Sequence, residues 1–190
     1  QLAAMTTAQI NALSTKLGAL ADTQIAALTT SQVAGLSTTN LTALDTTLLA
    51  ALDTTQVAAL AASQVGALTA TNISGLTEAQ MGALTTTQIK AISATNFSAL
   101  DQTQVAALST TQLMQRTSTH AAALTAEDIT ELSAEQMAAF GSTLLSRLST
   151  EAVVALDVTQ ISEFDTTQMR ALTAAQLAAL DESDMAEFNE

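Results

Sequence analysis

The sequence contains no cysteine, proline, tryptophan or tyrosine among its 190 residues. Without cysteine there is no disulfide framework, no thiolate chemistry and no Cys-based zinc site. Four Phe are the only aromatics. A core built around bulky rings is therefore excluded, and small side chains must let backbones pack closely instead. Basic residues are also scarce, with five Lys and Arg against 18 Asp and Glu and a formal net charge of −13. Such a balance repels nucleic acid and anionic membrane surfaces, so neither is expected as a partner. Long apolar runs are missing too. Thr, Ser, Asp and Gln interrupt every hydrophobic stretch, and none approaches the roughly 20 apolar residues of a membrane helix. No basic segment with an apolar core opens the sequence, so no secretion signal is read in it.

What is present is a strict repeat. From Leu20 to Phe188 a large apolar residue returns every eight positions, through Leu28, Leu36, Leu44, Leu52 and onward. The series fails once, at Arg116. Met5 and Leu13 extend it backwards if one residue is missing between Leu13 and Leu20. A short strict repeat dictates units that pack on their neighbours. A single long helix does not satisfy it, because eight residues overshoot two turns by roughly 80° and the apolar stripe would wind around the rod.

Each octad instead spells a helix start. Leu52-Asp53-Thr54-Thr55-Gln56-Val57-Ala58-Ala59 is a clean example. Ser, Thr or Asp follows the large residue, and Gln stands three positions later, as at Gln32, Gln56, Gln64, Gln80, Gln88, Gln104, Gln112 and Gln136. In Asn40, Asn72 and Asn96 the amide is one carbon shorter. This is capping-box spacing: the cap side chain accepts from the N3 amide while Gln reaches back to the cap's own N–H. The next residue (Val57, Ile73, Ile89) falls at N4, and the Leu before the cap at N′, which makes a hydrophobic staple. Helices this short do not stand alone in water. The fold class expected is therefore all-α: a solenoid of about 23 very short capped helices, one per eight-residue repeat, forming one array over 1–190. It is irregular at 13–20 and 116–123, and acidic over 125–190, with 13 of the 18 acids after residue 124.

A β-solenoid is the competing architecture, since Thr, Val and Ile favour strands. Fixed Ala and Gln favour helix, and six Gly with no Pro leave coil corners without their usual turn residues. Ala or Gly precedes the large residue at Ala27, Gly35, Ala43, Ala51 and Gly75, which places close helix approaches there. Later, Glu131, Arg147 and Glu163 take that position at sixteen-residue spacing, suggesting a two-helix layer.

The octad beginning at Arg116 is the defective one: Arg116 replaces Leu, His120 replaces Gln, and Ala121 replaces Val or Ile. It is either a local weak point or an interaction site built on Arg116 and His120, the only His. Catalysis is not expected. One His, no Cys, and Ser and Thr already committed to caps leave no nucleophile–base pair. There is no phosphate loop, and Glu127, Asp128, Glu131 and Glu135 lack the glycine and Asp-x-Asp spacing of a calcium loop. No cofactor or metal is expected.

Runs such as LTTSQVAGL, LDTTQVAAL and LTTTQIKAI resemble the octapeptide-repeat regions of large secreted or surface bacterial proteins, among them adhesins and type I-secreted repeat proteins. The resemblance covers nearly the whole chain and brings over no functional residue. It implies an extracellular or cell-surface structural protein: a fibre subunit, spacer or adhesin stalk whose partners are other copies of itself or other surface proteins. The apolar, uncharged start Gln1-Leu2-Ala3-Ala4-Met5 suggests end-to-end self-assembly. Two further readings follow from residues alone. Repeated Thr (Thr38, Thr46, Thr54, Thr86) makes a hydroxyl-and-methyl face suited to ice or to a protein, and a partner could dock near Arg116 and His120.

Overall fold

The computed structural model describes residues 1–182 and is helical, with no strand among them. Phe188 of the apolar series and the acids Asp184, Glu187 and Glu190 lie outside the described residues. Two compact units are formed, 1–100 and 101–190. The octad register passes through Leu100 unbroken, and composition marks no boundary there.

The first unit contains α1 (Thr7–Asn11), α2 (Asp22–Ala26), α3 (Thr30–Ala34), α4 (Thr38–Thr42), α5 (Thr46–Ala50) and α6 (Thr54–Ala58). It continues with α7 (Ala62–Ala67), α8 (Ala70–Ser74), α9 (Glu78–Ala83), α10 (Thr86–Ala91) and α11 (Ala94–Phe97). Two 3-10 helices, Leu2–Ala4 and Ser14–Ala19, complete it. The second unit contains α12 (Gln102–Ala106), α13 (Thr110–Leu113), α14 (Ser118–Ala123), α15 (Ala126–Glu131) and α16 (Ala134–Ala138). After these come α17 (Ser142–Leu145), α18 (Thr150–Val154), α19 (Val158–Ser162), α20 (Thr166–Met169) and α21 (Ala174–Ala179).

Each helix starts because its cap satisfies N-terminal amides that would otherwise lack acceptors. At α9, Gln80 N–H donates to Thr77 Oγ1 (3.3 Å) and Thr77 N–H donates to Gln80 Oε1 (2.8 Å). At α6 the same pair of bonds joins Asp53 and Gln56 at 2.6 and 2.8 Å. Where alanine stands at the cap only the Gln half survives, as in Ala61 N–H to Gln64 Oε1. Helices stop because the next Leu and the next cap are both extended: Leu84 has ψ 134° and Thr85 ψ 158°. Two such residues turn the chain into the next helix.

Stacking then follows a longer period than one octad. In the first unit α4 packs on α7 and α7 on α10, and α3, α6 and α9 form a second series. In the second unit α12, α15, α18 and α21 stack, as do α13, α16 and α19. Three helices therefore close one turn, and Ser37, Ala61 and Thr85, the caps of one column, recur every 24 residues. The two-helix layer suggested by Glu131, Arg147 and Glu163 is corrected accordingly. These residues end or follow α15, α17 and α19, which belong to three different columns of the second unit.

Most octads bury two apolar side chains, one at N4 and one at N′, such as Val57 with Leu60 or Ile89 with Ile92. The N3 amides are buried with them. Gln56, Gln64, Gln80 and Gln88 are each 2–3 % exposed, yet their side-chain hydrogen-bonding groups are paired. Oε1 takes the cap N–H, while in Gln64, Gln80 and Gln88 Nε2 donates to two carbonyls one turn earlier, 31 and 28 residues back. Gln64 reaches Val33 and Leu36, Gln80 reaches Leu49 and Leu52, and Gln88 reaches Val57 and Leu60, at 2.6–3.0 Å. In the second unit Gln136, Gln160 and Gln176 repeat the pattern. The accepting carbonyls lie at the end of a short helix: the N4 carbonyl, such as Leu49 or Val57, already takes the N–H of the residue three positions on and gains a second donor from the glutamine. One glutamine thus starts its own helix and finishes one in the turn before.

Close packing of the backbones accompanies this. A Cβ on Gly75 would lie 2.5 Å from Thr46 Cγ2 and 2.9 Å from Thr46 Cα, so α8 and α5 touch where only hydrogen fits.

Candidate functional site

Arg116 and His120 flank the start of α14 in the second unit. His120 occupies the N3 position and does what glutamine does elsewhere. Thr117 N–H donates to its Nδ1 (3.1 Å), and His120 N–H donates to Thr117 Oγ1 (3.4 Å). An Nδ1 that accepts carries no proton, so the imidazole is neutral with its hydrogen on Nε2. The ring is 6 % exposed. It is held as a cap, with its basic nitrogen already occupied. Beside it Ala121, 1 % exposed, fills the N4 position with a small side chain.

Arg116 takes the N′ place of leucine and is equally buried, at 6 % exposure. Burial pushes its guanidinium down to about 9, so it remains charged at neutral pH.

The structure brings a second irregular octad against this one. Helix α17 packs on α14, and its cap is Gly141, which offers no side-chain acceptor. Its N3 residue is Leu144. In the register of the regular turns, a glutamine there would donate to the carbonyls of Arg116 and Leu113. Leu144 cannot, and it is packed at 7 % exposure instead. The interruption leaves an open depression of about 430 Å³ lined by Arg116, Ser118, Ala139, Gly141, Thr143 and Leu144. A second, of about 400 Å³, adjoins it along Phe140, Asp165 and Thr167. Met114 borders both and is 61 % exposed. Sequence reasoning singled out Arg116 and His120 but missed Met114, Gly141 and Leu144. The signal that finds them is the 28-residue offset seen at Gln136 and Leu108, which has meaning only once the turn is known to hold three helices.

The acids are placed as helix caps and as a repelling group. Asp53, Asp101 and Asp157 lie below the usual carboxylate range, held there first by the hydroxyls of Thr55, Thr103 and Thr159 and then by N3 amides. Asp128 substitutes for glutamine at N3 of α15, its Oδ2 accepting from Thr125 N–H at 2.7 Å. Glu131 closes the same helix with Oε2 buried and without a hydrogen-bond donor. Burial raises its pKa, and the charges of Asp128, Glu127 and Asp101 raise it further. Among the described residues no group of three or more His, Asp or Glu is placed to hold a metal ion. Nor, among them, is any helix long and apolar enough to cross a membrane.

No protein-family model matches the chain, and no curated protein is significantly similar to it.

Proposed function

We propose that the chain is a non-enzymatic structural repeat protein of the extracellular space or the cell surface, acting as a spacer, a fibre subunit or an adhesin stalk. The observation that carries this reading is the cross-turn glutamine. The same side chain makes the same two bonds in turn after turn, and the polar groups that a binding cleft or active site would need are committed to holding one helix to another. Such an array grows by adding identical turns, which is what a spacer requires.

Self-association end to end belongs to this proposal. At the first turn Gln24 Oε1 accepts its cap N–H, and the residue is exposed. A depression of about 340 Å³ beside it is lined by Leu2, Met5, Thr23 and Ala27. Gln24 Nε2 has no acceptor among the described residues, and backbone carbonyls from a turn of a second copy would match it. Negative-stain electron microscopy across a concentration series tests the reading. Fibres of uniform width that lengthen with concentration are expected, and single-chain particles at every concentration would overturn self-assembly.

A further inference from the structure

We propose that in each unit a column of helices carries a threonine face that binds ice. The proposal goes beyond the structural role and does not depend on it. In the first unit α2, α5, α8 and α11 stack as one column and carry Thr23, Thr47, Thr71 and Thr95 at the second helical position. In the second unit α14, α17 and α20 stack and carry Thr119, Thr143 and Thr167 there. All seven are exposed. The other columns do not keep threonine at this position. One reads Ser31, Thr55 and Ala79 in the first unit and Thr103, Glu127, Glu151 and Ala175 in the second; the remaining one is broken by Ser63 and Glu135.

The hydroxyls separate the columns more sharply than the residue types do. Thr55, Thr103 and Thr159, outside the threonine column, donate to the cap carboxylates of Asp53, Asp101 and Asp157 at 2.5–2.6 Å. Asp45 and Asp165 stand at the same cap position before Thr47 and Thr167. Among the described residues they accept from the N3 amides of Leu48 and Gln168 and from no threonine hydroxyl. Among the described residues none of these seven hydroxyls donates to a protein acceptor, and each side chain is exposed, so its methyl and hydroxyl face solvent. The first two helical positions of this column hold no Lys, Arg or Glu, and Asp22 of the first turn is their one acid.

The regular spacing identifies the class of ligand. A small soluble ligand gains nothing from the same contact repeated at every turn. A surface with its own repeat does, because each further contact after the first is effectively intramolecular. Stacked helices lie about 8–10 Å apart, so each unit offers hydroxyls at a nearly constant step. Mineral surfaces call for charge, and crystalline polysaccharides for ring stacking, which a chain without Trp or Tyr does not provide from this face. A lattice of water accepts and donates to hydroxyls and leaves gaps that methyl groups can fill.

The test is incorporation of the full chain into slowly growing ice, together with thermal hysteresis. The native chain is compared with Thr47→Lys/Thr71→Lys in the column and with Thr39→Lys/Thr87→Lys in another column. Circular dichroism melts check that both variants fold, and Thr47→Val/Thr71→Val gives a gentler version that keeps a methyl. The native chain and the Thr39/Thr87 control should enter ice and shape its growth, while the column variants lose most of that activity. Exclusion of the native chain from ice would overturn the proposal. So would equal loss in both lysine variants, or retention of the native chain on microcrystalline cellulose in place of ice.

Discussion

The stretch from Gln56 to Gln88 and the pair of octads at Arg116 and Gly141 are built on the same repeat and differ in one connector. In the first, each N3 glutamine closes a cap and donates to two carbonyls of the previous turn, and Asn72, one carbon shorter, donates to one. In the second, Leu144 holds that position over Arg116. The irregular segment at Ser14–Ala19 repeats the lesson. Ser14 adopts a left-handed φ of 50°, and the N3 residue 28 positions after Leu20 and 31 after Leu17 is Leu48. In both places an irregular octad lies under a leucine that substitutes for glutamine. A glutamine needs two carbonyls at a regular corner; where the corner is altered, a buried amide would lack acceptors, and an apolar side chain of similar reach is the less costly occupant.

The largest effect expected is from breaking the regular region. Gln80→Ala removes the side-chain donor to the Leu52 carbonyl, one of the donors to the Leu49 carbonyl, and the acceptor of the Thr77 N–H, and should cost roughly 2–5 kcal/mol in urea unfolding. Gln24→Ala, in the first turn, loses only its half of a cap and should cost less than about 1 kcal/mol. Similar losses at the two positions would abolish the distinction between connector and cap.

Next comes repair of the interruption. Arg116→Leu should stabilise the chain, because leucine restores the N′ residue of the regular octads and removes a desolvated charge. The sign agrees with the depressed guanidinium, because a base whose pKa falls on folding is destabilising while it stays charged. Adding Leu144→Gln should help more in the Arg116→Leu background than in the native chain, and a double-mutant cycle reads that coupling. Combining Arg116→Leu with His120→Gln restores the repeat identity of the octad, and should leave any assembly unchanged if this locus is a defect only.

Gly141→Asp is a smaller repair. Nothing lies within 4 Å of a Cβ built there, so the new carboxylate is free to cap α17 and should add a few tenths to about 1 kcal/mol.

The smallest effects expected come from pH, and they have two signs. The cap carboxyls of Asp53, Asp101 and Asp157 are lowered on folding. Their contribution is present above 3.8 and is lost as pH falls through their folded values, so the melting temperature should drop below about pH 3.8. Glu131 is raised, so its contribution is present below 4.5 and is lost as pH rises through its folded value. Glu131→Gln should accordingly raise the melting temperature at about pH 7 and leave it unchanged at about pH 4.

Much of this fold was legible in the sequence because capping is local. Asp53 and Gln56 declare a helix start within one octad, and Val57 and Leu60 declare its buried side. The turn was not legible, because the partners of Gln80 lie 28 and 31 residues away and the octad hides which of its copies are neighbours. The sixteen-residue spacing of Glu131, Arg147 and Glu163 misled for that reason. Once three helices per turn are known, the threonines at 24-residue spacing and the Leu144–Arg116 pairing can be read from the sequence directly.

The central claim is that within each unit buried glutamine amides join one turn to the turn before. Hydrogen exchange of the side-chain NH₂ groups, followed by NMR, tests it most directly. The Nε2 protons of Gln64, Gln80 and Gln88 should exchange orders of magnitude more slowly than those of Gln24, whose amide is exposed in the first turn. Uniformly fast exchange across all four would contradict the account.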